Sequence, residues 1–167
     1  MTDHAHRPSS PSEAWQAIKD GNERFVTGSP AHPRQDIDRR ESVAEQQKPF
    51  AALFGCADSR LSAEIIFDVG LGDLFVVRNA GQVIAETILG SLEYAVEVLG
   101  VPLILILGHD ECGAVRATID STEGKLSAEG EFIHDLVARL TPTVENSQAA
   151  GRILIDEITE DHVKDTV

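Results

Sequence analysis

DLFVVRNAGQVIAETILGSLEYAVEVLGVPLILILGH, residues 73 to 109, decides the architecture of this chain. Its two ends, DLFVVRNAG and VPLILILGH, are short continuous apolar runs of the kind found in strands buried on both faces. Between them Ile88, Leu92, Ala95 and Leu99 recur at helical spacing, and Gly100 stands where a helix commonly stops. Strand, helix, strand over this length is a βαβ unit, so a parallel sheet with helices on its faces is the natural architecture. A third apolar run, PFAALFGC at 49–56, adds a strand. The expectation is an α/β fold, a mostly parallel β-sheet flanked by helices.

Outward from that unit, residues 1–10 are rich in His, Pro and Ser and read as a flexible N-terminal tail, with residues 11–167 as a single domain. Ser12 is placed to cap a helix that carries Trp15, Ile18, Phe25 and Val26 and ends at Gly28 and Pro30. Residues 30–47 are polar and read as surface-wrapping chain. GEFIHDLVARLTP at 130–142 and the stretch from Ile153 to Val167 read as further helices.

The composition removes whole classes of function. The formal net charge is −14 over 167 residues, which gives no basic stripe for nucleic acid or an anionic membrane surface. No apolar stretch of about 18 residues occurs and the start has no apolar leader core, so the expected location is the cytoplasm. Two cysteines far apart in sequence, in a reducing compartment, point to metal binding, catalysis or burial rather than a disulfide.

Ligand sites in parallel α/β sheets collect beyond the carboxyl ends of strands. Both cysteines fall there. The first strand runs into Cys56-Ala57-Asp58-Ser59-Arg60, and the third into His109-Asp110-Glu111-Cys112. Two thiolates, an imidazole and a carboxylate match the ligand preferences of Zn2+, so Cys56, Asp58, His109 and Cys112 form a candidate set of four. Taken singly, a buried Cys, a strand-end His or a turn Asp needs no metal to explain it. Both cysteines of the chain at two neighbouring strand ends, one beside His and one beside Asp, is the observation that favours the metal.

CADSRLSAE, RNAG and GHDECGAV, together with WQAIKDGNERFVTG at 15–28, resemble the β-class carbonic anhydrases and their CxDSR and HxxCG motifs. The resemblance implies that fold, with an N-terminal helix extending from the domain, and zinc on Cys56, His109 and Cys112. It also implies a dyad in which Asp58 either closes the zinc as fourth ligand or turns onto Arg60. The implied reaction is reversible hydration of CO2 to bicarbonate and a proton, with zinc activating the water. In the plant-like subgroup of that family, a Gln, a Phe and a Tyr line the CO2 pocket, the aromatic pair coming from a neighbouring subunit. Gln47, Phe75 and Tyr94 occupy those places, so a homo-oligomer, at least a dimer, is implied. A second subgroup, inhibited by bicarbonate, has Trp and Val where this chain has Leu53 and Leu61. Family members continue into a further edge strand, whereas this chain stops at EITEDHVKDTV, so that strand is expected to be absent. Two other readings stay open: a structural-zinc or thiol redox protein, and a same-fold hydrolase of a CO2 analogue such as carbon disulfide.

Overall fold

The computed structural model describes residues 7–125 and 130–167. In chain order the elements are α1 (Pro11–Val26), α2 (Ile37–Ser42), β1 (Ala51–Cys56), α3 (Ala63–Ile66), β2 (Leu74–Asn79), α4 (Glu86–Glu93), β3 (Ile104–Leu107), α5 (Gly113–Thr122), α6 (Glu131–Ala149) and α7 (Ile155–Thr166). The fold is α/β, with the sheet ordered β2-β1-β3. The register shows that β1 and β2 are parallel: the Phe50 N–H donates to Asp73 and the Ala57 N–H to Asn79, so partners advance together along both chains. On the other side the Ala52 N–H donates to Leu103. No described helix is long and apolar enough to cross a membrane.

Contacts divide the chain into two compact units. One comprises the chain up to Leu53 with Ser62–Val77 and Glu86–Leu105; the other comprises Phe54–Leu61, Arg78–Ala85 and Ile106–Val167. In the first, α1 is capped by Ser10, not Ser12. Ser10 Oγ accepts the Glu13 N–H while the Glu13 carboxylate reaches back to the Ser10 N–H, a reciprocal capping box. The helix buries Ala14, Ile18 and Gly21 rather than Trp15, Phe25 and Val26, which stay exposed. Gly21 is the point of closest approach, since a Cβ there would lie 1.8 Å from the Phe67 carbonyl oxygen. Asp68, at the end of α3, accepts the N–H groups of Ala31 and His32 and the Arg24 guanidinium. Burial alone would raise its pKa, but these donors outweigh burial and lower it.

Several expectations need correction. The apolar helix of the βαβ unit does bury Ile88, Leu92 and Ala95, yet after Glu93 it widens into a π turn over Tyr94–Val98, with Leu99 N–H bonded to the Tyr94 carbonyl. It closes at Gly100, whose φ of 63° is the left-handed value that glycine adopts readily. β1 is buried along all six residues, but β2 and β3 are only half covered. The polar stretch 30–47 contains the short α2, and α6 continues through Pro142 to Ala149. Of the N-terminal tail, residues 1–6 lie outside the described residues.

The second unit has its own core. Cys56, Cys112, Val115, Val144 and Ile158 form one buried cluster, with Leu61, Ala114, Ile119 and Ile155 packed against it. Helices α5, α6 and α7 thus meet around the two cysteines.

Candidate metal centre

Each ligand candidate is delivered by the end of an element. Cys56 is the last residue of β1, His109 follows β3, and Cys112 is the residue from which α5 starts. Between the last two, Glu111 takes a φ of 52°, which turns the chain sharply enough to bring His109 and Cys112 back to the same point. The result is a three-donor cluster: one ligand atom each of Cys56, His109 and Cys112, all within 4.8 Å of one another.

The donor chemistry fits a zinc ion. His109 Nδ1 lies 2.8 Å from the Asp110 carbonyl, which accepts its proton and leaves Nε2 as the bare lone pair. That Nε2 is buried without a hydrogen-bond partner among the described residues. A buried lone pair aimed at two thiols is costly unless something electrophilic meets it. The thiols themselves are polarised. The Cys112 S–H donates to Cys56, which, helped by the Gly81 N–H at 3.3 Å, draws the Cys56 pKa down to about 4 against the cost of burial. Cys112, holding the shared proton in a buried place, is pushed up.

Asp58 stands beside this cluster. Its Oδ2 is 3.9 Å from His109 Nε2, and both its oxygens are engaged by Arg60: Nε to Oδ1 and Nη2 to Oδ2, each at 2.9 Å, with the Arg60 N–H adding a third bond at 2.9 Å. The side-chain bonds first, and the backbone bond second, hold the Asp58 carboxyl well below the usual carboxylate range. Arg60 also donates to the Glu111 carbonyl at 3.3 Å, within the turn that carries the other two donors.

Of the expected pocket residues, Phe75 on β2 and Tyr94 meet with ring centroids 6.1 Å apart and planes inclined by 37°; Tyr94 is 45% exposed. Gln47 is exposed in the segment before β1. All three belong to the first unit, the cysteines, His109, Asp58 and Arg60 to the second.

Residues 51–167 match the family described as carbonic anhydrase. The chain belongs to that family. Carbonic anhydrase of Mycolicibacterium smegmatis is 53% identical over 163 residues, covering 95% of this chain and 77% of its own length. Carbonic anhydrase 2 of Mycobacterium tuberculosis is 54% identical, covering 95% of this chain and 76% of its own. Among solved structures, a β-carbonic anhydrase of Aspergillus fumigatus is 25% identical with a TM-score of 0.64, covering 89% of this chain and 69% of its own. The β-class carbonic anhydrase fold is therefore the fold of this chain.

Part of this carbonic anhydrase's site escapes sequence reasoning. Arg78 donates to the Cys56 carbonyl at 2.9 Å and to the Asp58 carbonyl at 2.6 Å, bracing the first ligand turn from β2. The RNAG run at a strand end was the available signal for it. Gly81 has a φ of 70°, and a Cβ there would lie 2.7 Å from Ala114 Cβ, so the N–H that faces Cys56 needs glycine. His162, whose Nε2 donates to the Gly81 carbonyl, and Asp156, which accepts the Glu111 N–H, carry no local sequence signal at all.

Proposed function

We propose that the chain catalyses the reversible hydration of CO2 to bicarbonate and a proton, with Zn2+ held by Cys56, His109 and Cys112. The observation that carries this reading is the three-donor cluster with an ionised Asp58–Arg60 pair at its side. Zinc, when bound, supplies a Lewis acid that makes water a nucleophile near neutral pH. The chain's own residues do the rest. Arg60 keeps Asp58 ionised and aimed. In that state Asp58 accepts a hydrogen bond from the attacking water and orients a lone pair toward the carbon. Released from Arg60, the same carboxylate can take the fourth ligand place and exclude water, so the pair acts as a gate. Two thiolates cancel the charge of the metal, which favours deprotonated water less than three neutral imidazoles would. Activity should therefore increase with pH.

Gln47, Phe75 and Tyr94 are assigned to CO2 binding, with the aromatic pair serving the partner subunit's pocket in a homo-oligomer of at least two chains. Support comes from the half-covered β2 and β3 and from the exposed apolar residues Tyr94, Val96, Val98 and Ile104. Free, buried cysteines that must stay reduced suit a reducing compartment such as the cytoplasm. The test is stopped-flow CO2 hydration with a zinc assay on the same sample. One zinc per chain with hydration that grows toward alkaline pH is expected. Zinc without hydration at pH 8.5 would move the reading to a closed structural site, and hydrolysis of carbon disulfide in its place to the same-fold alternative.

A further inference from the structure

We infer that α7 is a clamp that sets the geometry and affinity of the metal centre, with His162 and Asp156 as its positioning residues. The inference rests on the zinc reading above and adds to it residues far from the ligand motifs in sequence.

Helix α7 supports each of the three ligand-bearing segments. His162 is buried, and its Nε2 donates to the Gly81 carbonyl at 2.8 Å. The N–H of the same Gly81 points at Cys56 Sγ, 3.3 Å away. Carbonyl and N–H flank one Cα, so fixing the first aims the second. Without a Cβ a glycine visits positive and negative φ about equally, so nothing in its own chemistry keeps it in the left-handed region, and the imidazole supplies that restraint. At the second segment, Val163 Cγ2 would be only 2.4 Å from a Cβ at Gly108, the residue before His109. At the third, Asp156 Oδ1 accepts the Glu111 N–H at 2.8 Å, in the strained turn between His109 and Cys112. Ile155, Ile158, Thr159 and His162 share one face at helical spacing, and Ile158 enters the same buried cluster as Cys56 and Cys112. One rigid helix thus touches the supports of all three donors. Outer partners of this kind typically change metal affinity by about 10–100-fold.

The experiment compares the full chain with His162→Ala, His162→Gln and Asp156→Ala, measuring zinc release to a competing chelator and the thiolate-to-metal charge-transfer band of the Co2+-loaded protein. His162→Ala should release zinc roughly 10–100-fold more readily and shift the band. His162→Gln keeps an N–H donor and should recover most of both. Asp156 is exposed, so Asp156→Ala leaves the core intact and should also weaken zinc retention, which keeps the test open if His162→Ala does not fold. Release and spectrum unchanged in His162→Ala and Asp156→Ala would overturn the clamp while leaving the zinc site standing. A Gln variant as weak as the Ala variant would overturn the hydrogen-bond account. A wild-type chain that takes up no zinc would instead defeat the site reading on which the clamp depends.

Discussion

Asp58 and Arg60 meet fork to fork, through two parallel hydrogen bonds of 2.9 Å, with the Arg60 side chain 61% exposed and that of Asp58 only 19%. An exposed ion pair of this kind adds little stability, so its geometry is better explained by what it does for the neighbouring donors. Arg60→Ala should leave the carboxylate free to turn onto the metal, giving protein that keeps its zinc and loses about 10²-fold or more in hydration rate. Asp58→Asn should keep zinc too, but admit small anions such as thiocyanate more readily. An Arg60→Ala enzyme as fast as wild type from pH 7 to 9 would reduce the pair to surface decoration.

The same pair fixes a pH dependence of stability. Asp58 is depressed on folding, so its contribution is present above its unfolded pKa of about 3.9 and is lost as pH falls from there toward the folded value. Urea midpoints should place wild type slightly above Asp58→Asn from roughly pH 5 to 8, with the gap closing in stronger acid. A gap independent of pH would mean that Asn disturbs the turn for reasons other than charge.

Metal removal should be felt by the whole second unit, since Cys56 and Cys112 belong to its core. The chain should carry one zinc. Cys112→Ser should carry well under one, and its melting temperature should no longer respond to added zinc, because ligand binding to the native state is what raises it. Full zinc retention in Cys112→Ser would remove that residue from the ligand set.

Two glycine substitutions should act with opposite sign. Gly90 lies in α4 with nothing within 4 Å of a new Cβ, so Gly90→Ala should stabilise by about 0.5–1 kcal/mol. Gly21→Ala meets the Phe67 carbonyl and must lift α1 away, costing about 1–3 kcal/mol or more. Chemical denaturation of both variants reads this directly: a stabilised Gly21→Ala would contradict the packing of α1 on α3, and a destabilised Gly90→Ala the open space at that face of α4.

The assembly prediction turns on the exposed apolar residues after α4. Val98 is 63% exposed, and Val98→Asp should dissociate a wild-type oligomer in sedimentation velocity. A wild type that sediments as a fully active monomer would contradict the role given to Phe75 and Tyr94.

The strand–helix–strand unit and the ligand motifs were legible because both are local: apolar runs report strands, and CxDSR and HxxC sit at their ends. What was not legible depends on information that no window contains. Ser12 reads as the cap from its place ahead of the apolar positions, whereas the reciprocal bond with Glu13 makes Ser10, assigned to the tail, the cap. An apolar run shows that a strand seeks cover without saying what supplies it, which is why β2 and β3 read as buried and yet are only half covered. The π turn at Tyr94 leaves the hydrophobic spacing almost unchanged. His162 approaches Gly81 from 81 positions away.

β1 lies between two partners and is buried along its whole length. Its amides should therefore exchange with deuterium only when the entire fold opens, on the slowest timescale in the molecule. Cys56 ends that strand, whereas His109 and Cys112 sit on a turn with an exposed, strained Glu111. Loss of metal should then be felt first at the exposed Glu111 turn and last at β1. Re-entry of the ion then begins at a thiol that has kept its place.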